Sequence, residues 1–353
     1  MSNKNTNATA QGLATKEKRK LSQQQFLMIV TVSLLVVMYV IGMILFFDRG
    51  FNHFQTFLNL FIDNAGLIVI ACGLTVVMIT GGIDISVGSF VALSCMMMAY
   101  MMETMRIGAV PSMLVVLITG LVFGLVQGWL ISYLKIQSFI VTLAGMFFAR
   151  GMTAIISQEM ISIQNDTFLK IAQFQINLPF GGYYSRRGNY VPAYIYPTVV
   201  TALLIVVIIF VVLRYTKFGR RVYAIGGNEQ SAMLMGLDAR KTRLQAYILD
   251  GFLCAIGGIL FCLNTCSGFV DQARGLEMEA IASAVIGGTL LTGGVGNVFG
   301  SLLGVMIRGT IDTIIKKPGT LSSWWTTISI AVLLAFFIIL QSLLSSASRK
   351  SKK

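Results

Sequence analysis

Thr80-Gly81-Gly82-Ile83-Asp84-Ile85-Ser86-Val87-Gly88-Ser89 separates two apolar runs, residues 63–80 and 83–102, with only a Gly-Gly pair between them. Each run has about the 20 residues that a membrane-crossing helix needs. Paired glycines weaken a helix, each by about 1 kcal/mol relative to Ala. A break at membrane depth exposes backbone N–H and C=O groups, which is tolerated only where they line a cavity or are packed by protein. The stretch therefore predicts an all-α, polytopic membrane protein with a broken helix at Gly81-Gly82.

The same reading extends along the chain. Apolar runs recur at 26–47, 109–134, 137–157, 193–213, 244–266, 280–292, 298–316 and 324–345, so about ten transmembrane helices are expected, the eighth of them short. Hydrophobic residues make up 56% of the 353 and charged residues 12%. A soluble domain is about 25% charged, so a soluble globule is excluded, and disorder with it. Phe26 to Phe47 is 22 residues without a charge. That is longer than the 7–15 of a signal-peptide core, and no small-residue cleavage site follows. It reads as an uncleaved first helix behind a disordered cytoplasmic tail, residues 1–22. A transmembrane domain, 23–346, and a basic cytoplasmic tail, 347–353, complete the layout. All five cysteines lie in or beside apolar runs, without metal-ligand spacing, and read as small buried hydrophobes.

The formal net charge is +13. With both termini inside, 17 of the 27 Lys and Arg fall on the cytoplasmic side, seven of them in residues 214–243, while most acids fall outside. This is the positive-inside pattern. It accounts for the basic excess without nucleic acid and places the N- and C-termini in the cytoplasm. Residues 158–192 then form an outer loop and 214–243 an inner one.

An internal echo is present. Thr80-Gly81-Gly82 with Gly88-Ser89 recurs as Thr292-Gly293-Gly294 with Gly300-Ser301, at an offset of 212 residues. Transporters are often built from repeats, with sites where helices break; chance similarity of two glycine-rich turns is the alternative.

Asn64, Asp84, Ser86 and Arg150 are the polar candidates for a pathway. Asp84 is the sole carboxylate near the Gly-Gly break in sequence. It either caps the following helix through N–H groups three residues on or accepts hydrogen bonds from a polyhydroxylated ligand, an intramembrane charge being a functional hypothesis by default. Arg150 either snorkels to the outer interface or meets a carboxylate or carbonyl inside the bundle. Arg308 and Asp312, four apart, read as a local ion pair. Asp250 and Asp63-Asn64 lie near the ends of their runs, where solvation is expected.

In the inner loop, Gly226-Gly227-Asn228-Glu229-Gln230-Ser231-Ala232-Met233-Leu234-Met235-Gly236 reads as a short helix capped by Asn228 and ended by Gly236. Ala232, Met233 and Met235 are expected to be exposed on it. It is either a peg for a partner protein or a helix lying on lipid; its small size and its acid, Glu229, favour the peg. The chain holds no GxxxxGK[ST], HExxH or GxSxG and no paired membrane carboxylate in sequence, so ATP hydrolysis and intramembrane catalysis have no machinery here. No chain of titratable groups crosses the membrane, as a proton-coupled carrier would need.

Four stretches in order resemble the permease subunits of bacterial ribose-type ABC importers for monosaccharides: Gly81 to Ser89; Val141-Thr142-Leu143-Ala144-Gly145-Met146 with Arg150-Gly151; Phe218-Gly219 through Gly236; and Glu279-Ala280-Ile281-Ala282 with Val285-Ile286-Gly287-Gly288-Thr289 and Gly293-Gly294. The resemblance covers nearly all of residues 25–345. Leu143 to Phe148 and Gly319 to Thr326 look closer still to one of the paired permeases of galactofuranose-type importers. Ile85 stands where the family pattern usually has Leu, a change that keeps polarity. The resemblance implies a non-catalytic pore subunit, without cofactor or metal, in a bacterial inner membrane. It implies a second permease subunit, identical or different, and a periplasmic or lipid-anchored sugar-binding protein. It also implies a cytoplasmic ABC ATPase engaging Gly226, Gly227, Asn228, Glu229, Ala232, Leu234 and Gly236. Without the resemblance, a gradient-driven carrier or channel and an intramembrane enzyme or assembly protein are the competing classes.

Overall fold

The computed structural model describes residues 23–184, 189–319 and 324–350; the tail at 1–22 and the last residues, 351–353, lie outside that set. The chain runs α1 (Gln23–Leu45), a 3-10 turn (Phe47–Arg49), α2 (Phe54–Ile79), α3 (Val87–Glu103), α4 (Ala109–Ser132) and α5 (Ser138–Ile156). An outer segment follows: β1 (Ile161–Ser162), α6 (Asp166–Gln173), β2 (Ile176–Asn177), β3 (Tyr183–Tyr184), β4 (Tyr190–Val191) and β5 (Tyr194–Ile195). Then come α7 (Pro197–Tyr215), α8 (Lys217–Gly227), α9 (Glu229–Leu234), α10 (Ala239–Thr265), β6 (Ser267–Gly268), α11 (Leu276–Ile286), α12 (Val298–Lys316) and α13 (Trp324–Lys350).

Among the described residues, seven helices are long and apolar enough to cross a membrane: α1, α2, α4, α5, α7, α10 and α12. Two shorter apolar helices, α3 and the first part of α13, join them. The expected eighth span, 280–292, takes a different form. The helix there is α11, whose 11 residues rise about 16 Å, half of a hydrocarbon core about 30 Å thick. It stops because Gly287 closes it and Gly288 turns the chain at φ +92°.

Burial sorts the helices into two layers. Every residue of α2 from Asn64 onward is buried, as is most of α3, and α10, α11 and α12 pack around α2. The outward faces of α1, α4, α5 and α7 carry exposed Val, Leu, Ile and Phe, the composition that lipid or another membrane subunit covers. α4 and α10 approach closely through small residues. A Cβ on Gly120 would strike the Gly251 carbonyl, one on Gly124 the Tyr247 carbonyl, and one on Gly128 the Tyr247 side chain. This four-residue spacing is the small-residue packing common between membrane helices.

The two largest shifts in helix start from the sequence expectation are at α2 and α10. α2 begins at Phe54 rather than 63, because Asp63-Asn64 sits within a continuous helix instead of ending one. α10 begins at Ala239 rather than 244, capped by Asp238, whose carboxylate accepts the Lys241 N–H at 2.9 Å. Among the described residues the outer loop is organised by two antiparallel two-residue pairs, β2–β5 and β3–β4, and a third, β1–β6, joins it to the segment after α10. It is tied to α3 by Glu103, whose carboxylate accepts the N–H groups of Gln164 (2.8 Å) and Asn165 (3.1 Å).

Candidate functional site

The two echoed glycine turns meet. Gly81 (φ +80°) lies between α2 and α3, and Gly293 (φ +83°) between α11 and α12; only glycine adopts such φ freely. The Gly294 N–H donates to the Ile79 carbonyl at 2.9 Å, joining one turn to the other. The end of α8 is pressed onto both: a Cβ on Gly226 would collide with the Ile79 carbonyl and the Gly294 N–H, and one on Gly294 with the Gly227 backbone. Side-chain-free backbone at 226, 293 and 294 is therefore required by close approach.

α9 projects directly beyond this contact. Asn228 caps it, its side chain accepting the Ser231 N–H at 2.9 Å, and Gly236 (φ +80°) reverses the chain after it. Glu229 pairs with Arg243 of α10 at 2.9 Å, bracing α9 to the helix that follows. Ala232 is not on the exposed face, contrary to the sequence expectation. It is fully buried against Ile225 and Ala239, because the capped turn rolls it under the helix. The exposed tip is Met233, Leu234 and Met235, with Leu234 90% exposed. Beside it lies a cavity of about 700 Å³. Its walls include Gly81, Gly82, Met233, Arg243 and the α4–α5 turn at Tyr133 and Lys135.

Asp84 is buried, and its Oδ1 accepts the Ser86 N–H (2.7 Å) and the Ser86 hydroxyl (2.6 Å). The bonds reach two residues on rather than three, so Asp84 shapes the turn into α3 rather than capping α3 itself. It is also not the only carboxylate at the break. Asp250 of α10, expected near a solvated end, is fully buried and lies beside Asp84. The membrane interior thus does hold a carboxyl pair, built from positions 166 apart that no sequence spacing reveals. Gln127 of α4 donates to the Ser86 hydroxyl (2.9 Å), and the Tyr247 hydroxyl donates to the Ile83 carbonyl (3.1 Å). The broken helix is held by α4 and α10 together.

Beside the middle of α2 a second cavity, about 560 Å³, is lined by Asp63, Asn64, Glu279, Arg308, Asp312 and Lys316, with Phe261, Phe269 and others around them. Arg308 does not pair with Asp312 as its spacing suggested. It donates to Asn64 (2.8 Å) and to Glu279 of α11 (2.8 Å), while Asp312 pairs with Lys316 at 2.8 Å. This partnership explains how Asn64 can be buried inside α2: its amide oxygen meets a guanidinium and its NH₂ meets the Leu60 carbonyl at 2.8 Å. Planar amide, carboxylate and guanidinium groups beside aromatic rings are suited to a ligand rich in hydroxyls. From Leu67 in this cavity to its end at Ile79, just before Gly81 in the other, α2 advances about 18 Å with every intervening side chain buried.

Arg150 lies apart from both cavities. Its guanidinium donates to the carbonyls of Val270 and of Gln272 (2.8 Å), clamping the segment that leads into α11. Of the four pathway candidates, Asp84 and Ser86 form one cluster, Asn64 belongs to the Arg308 cavity and Arg150 is a clamp on the backbone.

The model of the family described as branched-chain amino acid transport system / permease component matches residues 56–339. The chain is 43% identical over 293 residues to the inner membrane ABC transporter permease protein YjfF of Escherichia coli, covering 83% of this chain and 85% of that one. It is 35% identical over 337 residues to the fructose import permease protein FruG of Bifidobacterium longum, covering 95% and 96%. It is 30% identical over 311 residues to the ribose import permease protein RbsC of Escherichia coli, covering 87% and 92%. No solved structure matches.

Proposed function

The chain belongs to this family of ABC-transporter permease components, a non-catalytic subunit whose ATP is hydrolysed by a separate ATPase, and we propose that it forms the membrane pathway of a monosaccharide importer. The observation that carries the mechanism is the seating of Gly226 on both glycine turns. An ATPase gripping α9 at Met233, Leu234 and Met235 moves the end of α8 and, through Glu229–Arg243, the start of α10. The same displacement is delivered to the α2–α3 and α11–α12 breaks. The two polar cavities, one beside the middle of α2 and the other at the break after it, are then the alternating mouths, with the Arg308 cavity facing outward and both termini in the cytoplasm.

Sugar as cargo is supported by the relatives' import of fructose and ribose and by the hydroxyl-binding chemistry around Asn64, Glu279 and Arg308. A furanose such as galactofuranose is the specific cargo we propose, on the resemblance carried by Leu143 to Phe148 and Gly319 to Thr326. A second permease and a sugar-binding protein complete the complex. Purification of the tagged chain in mild detergent from its native host, with mass spectrometry of stoichiometric partners, tests the assembly. An ATPase with a permease pair is the expected result. A chain that moves sugar alone, without ATP, overturns it.

A further inference from the structure

A third cavity, about 710 Å³, opens where α7 ends and α1 and α12 begin. Its walls include Phe210, Arg214, Tyr215, Arg220, Tyr223 and Asn297. Two arginines face it and no acid lines it. Among the described residues neither guanidinium has a hydrogen bond or ion pair: Arg214 and Arg220 enter no salt bridge, and the nearby acids of the inner loop are engaged elsewhere, Glu229 with Arg243 and Asp238 with the start of α10. Residues 1–22 have a net positive charge in sequence, five Lys and Arg against Glu17.

The cavity's other features have one theme. Tyr215 is exposed at the last residue of a membrane-crossing helix, the depth at which tyrosines mark the lipid–water interface. Tyr223 donates its hydroxyl to the Gly296 carbonyl at 2.9 Å, and burial pushes that hydroxyl's pKa upward, so it stays a fixed, neutral wall. Phe210 packs against Phe299 with ring centroids 4.7 Å apart, giving an apolar floor. Leading away from the cavity along α7, Leu204, Val207, Ile208 and Val211 are all exposed, and their three- and four-residue spacing puts them on one face.

We propose that this cavity binds the phosphate headgroup of an anionic phospholipid, with Arg214 and Arg220 on the phosphate and the acyl chains along the α7 face. Basic pockets between membrane helices are suited to such headgroups. The phosphate alone is chemistry that a soluble phosphate ester also offers; the apolar α7 track adjoining the arginines selects the lipid. The site joins α7, α8, α12 and α1, so its occupant bridges the coupling element to the outer layer of helices, a role separate from sugar or ATPase recognition.

The test uses the delipidated full-length protein in a nonionic detergent. Binding of phosphatidylglycerol, phosphatidylethanolamine and soluble glycerol phosphate is titrated by native mass spectrometry. Phosphatidylglycerol is expected to bind with one tight equivalent. Arg214→Gln and Arg220→Gln are each expected to weaken it about five-fold, from about 1 kcal/mol per basic residue near anionic lipid, without lowering the melting temperature measured in the absence of lipid. Equal binding of phosphatidylethanolamine, or unchanged phosphatidylglycerol binding in the double variant, overturns the proposal. Glycerol phosphate binding as tightly as the lipid overturns the lipid assignment. If the double variant does not fold, discrimination between the two lipids by the unaltered protein decides.

Discussion

Leu234→Ala separates a docking role for α9 from a structural one. Leu234 is 90% exposed, so its side chain contributes almost nothing to the folded subunit. If a partner covers it, truncation forfeits most of the roughly 1.5–3 kcal/mol of burying a leucine. At about 1.4 kcal/mol per factor of ten, ATPase binding should weaken by about 10- to 100-fold. The assay is titration of purified ATPase onto the immobilised permease in detergent, with a thermal melt of each preparation. The melting temperature should not move, since no buried contact is lost. Ala232→Arg should behave differently. A guanidinium there must enter the packing of Ala232 against Ile225 and Ala239, so both docking and the local melt should suffer. Unchanged ATPase affinity in Leu234→Ala would refute the docking reading.

Three other outcomes follow from the geometry. Gly226→Ala drives a methyl into the Ile79 carbonyl and should abolish sugar uptake while the ATPase still co-purifies, read by transport and pull-down in parallel. Asp250→Asn keeps a polar group of the same shape beside the buried Asp84 and should retain most of the stability. Asp250→Ala removes a polar side chain beside the buried Asp84 carboxyl and should cost about 1–3 kcal/mol, read as a fall in detergent melting temperature. Arg150→Ala removes two charge-assisted bonds to Val270 and Gln272; at about 1.5–3 kcal/mol for a bond to a charged group, it should release the segment before α11 and raise its hydrogen exchange.

The helices were legible in the sequence wherever burial or lipid demands an unbroken apolar run. The echo at offset 212 was legible too, because Thr-Gly-Gly must recur where two turns pack backbone to backbone. The start of α2 was hidden by Asp63-Asn64, which looks like a helix boundary until Arg308 is known to satisfy Asn64. Arg308 itself was assigned to Asp312 because spacing along one helix is the only proximity a sequence displays; its partner Glu279 lies 29 residues earlier, across a turn. Asp84–Asp250 was invisible for the same reason at longer range. α8 was missed for its charge, although Phe218, Val222 and Ile225 are spaced as one helical face.

The central claim is that sugar crosses through this chain only when a partner ATPase works on α9. The most direct measurement is uptake of radiolabelled monosaccharide into proteoliposomes holding the purified complex, with binding protein inside neither membrane nor lumen but in the outer solution, and with or without ATP at the cytoplasmic face. The account predicts uptake that requires ATP and disappears when Gly226 is replaced by Ala. Equal uptake without ATP, driven by an ion gradient, would contradict it.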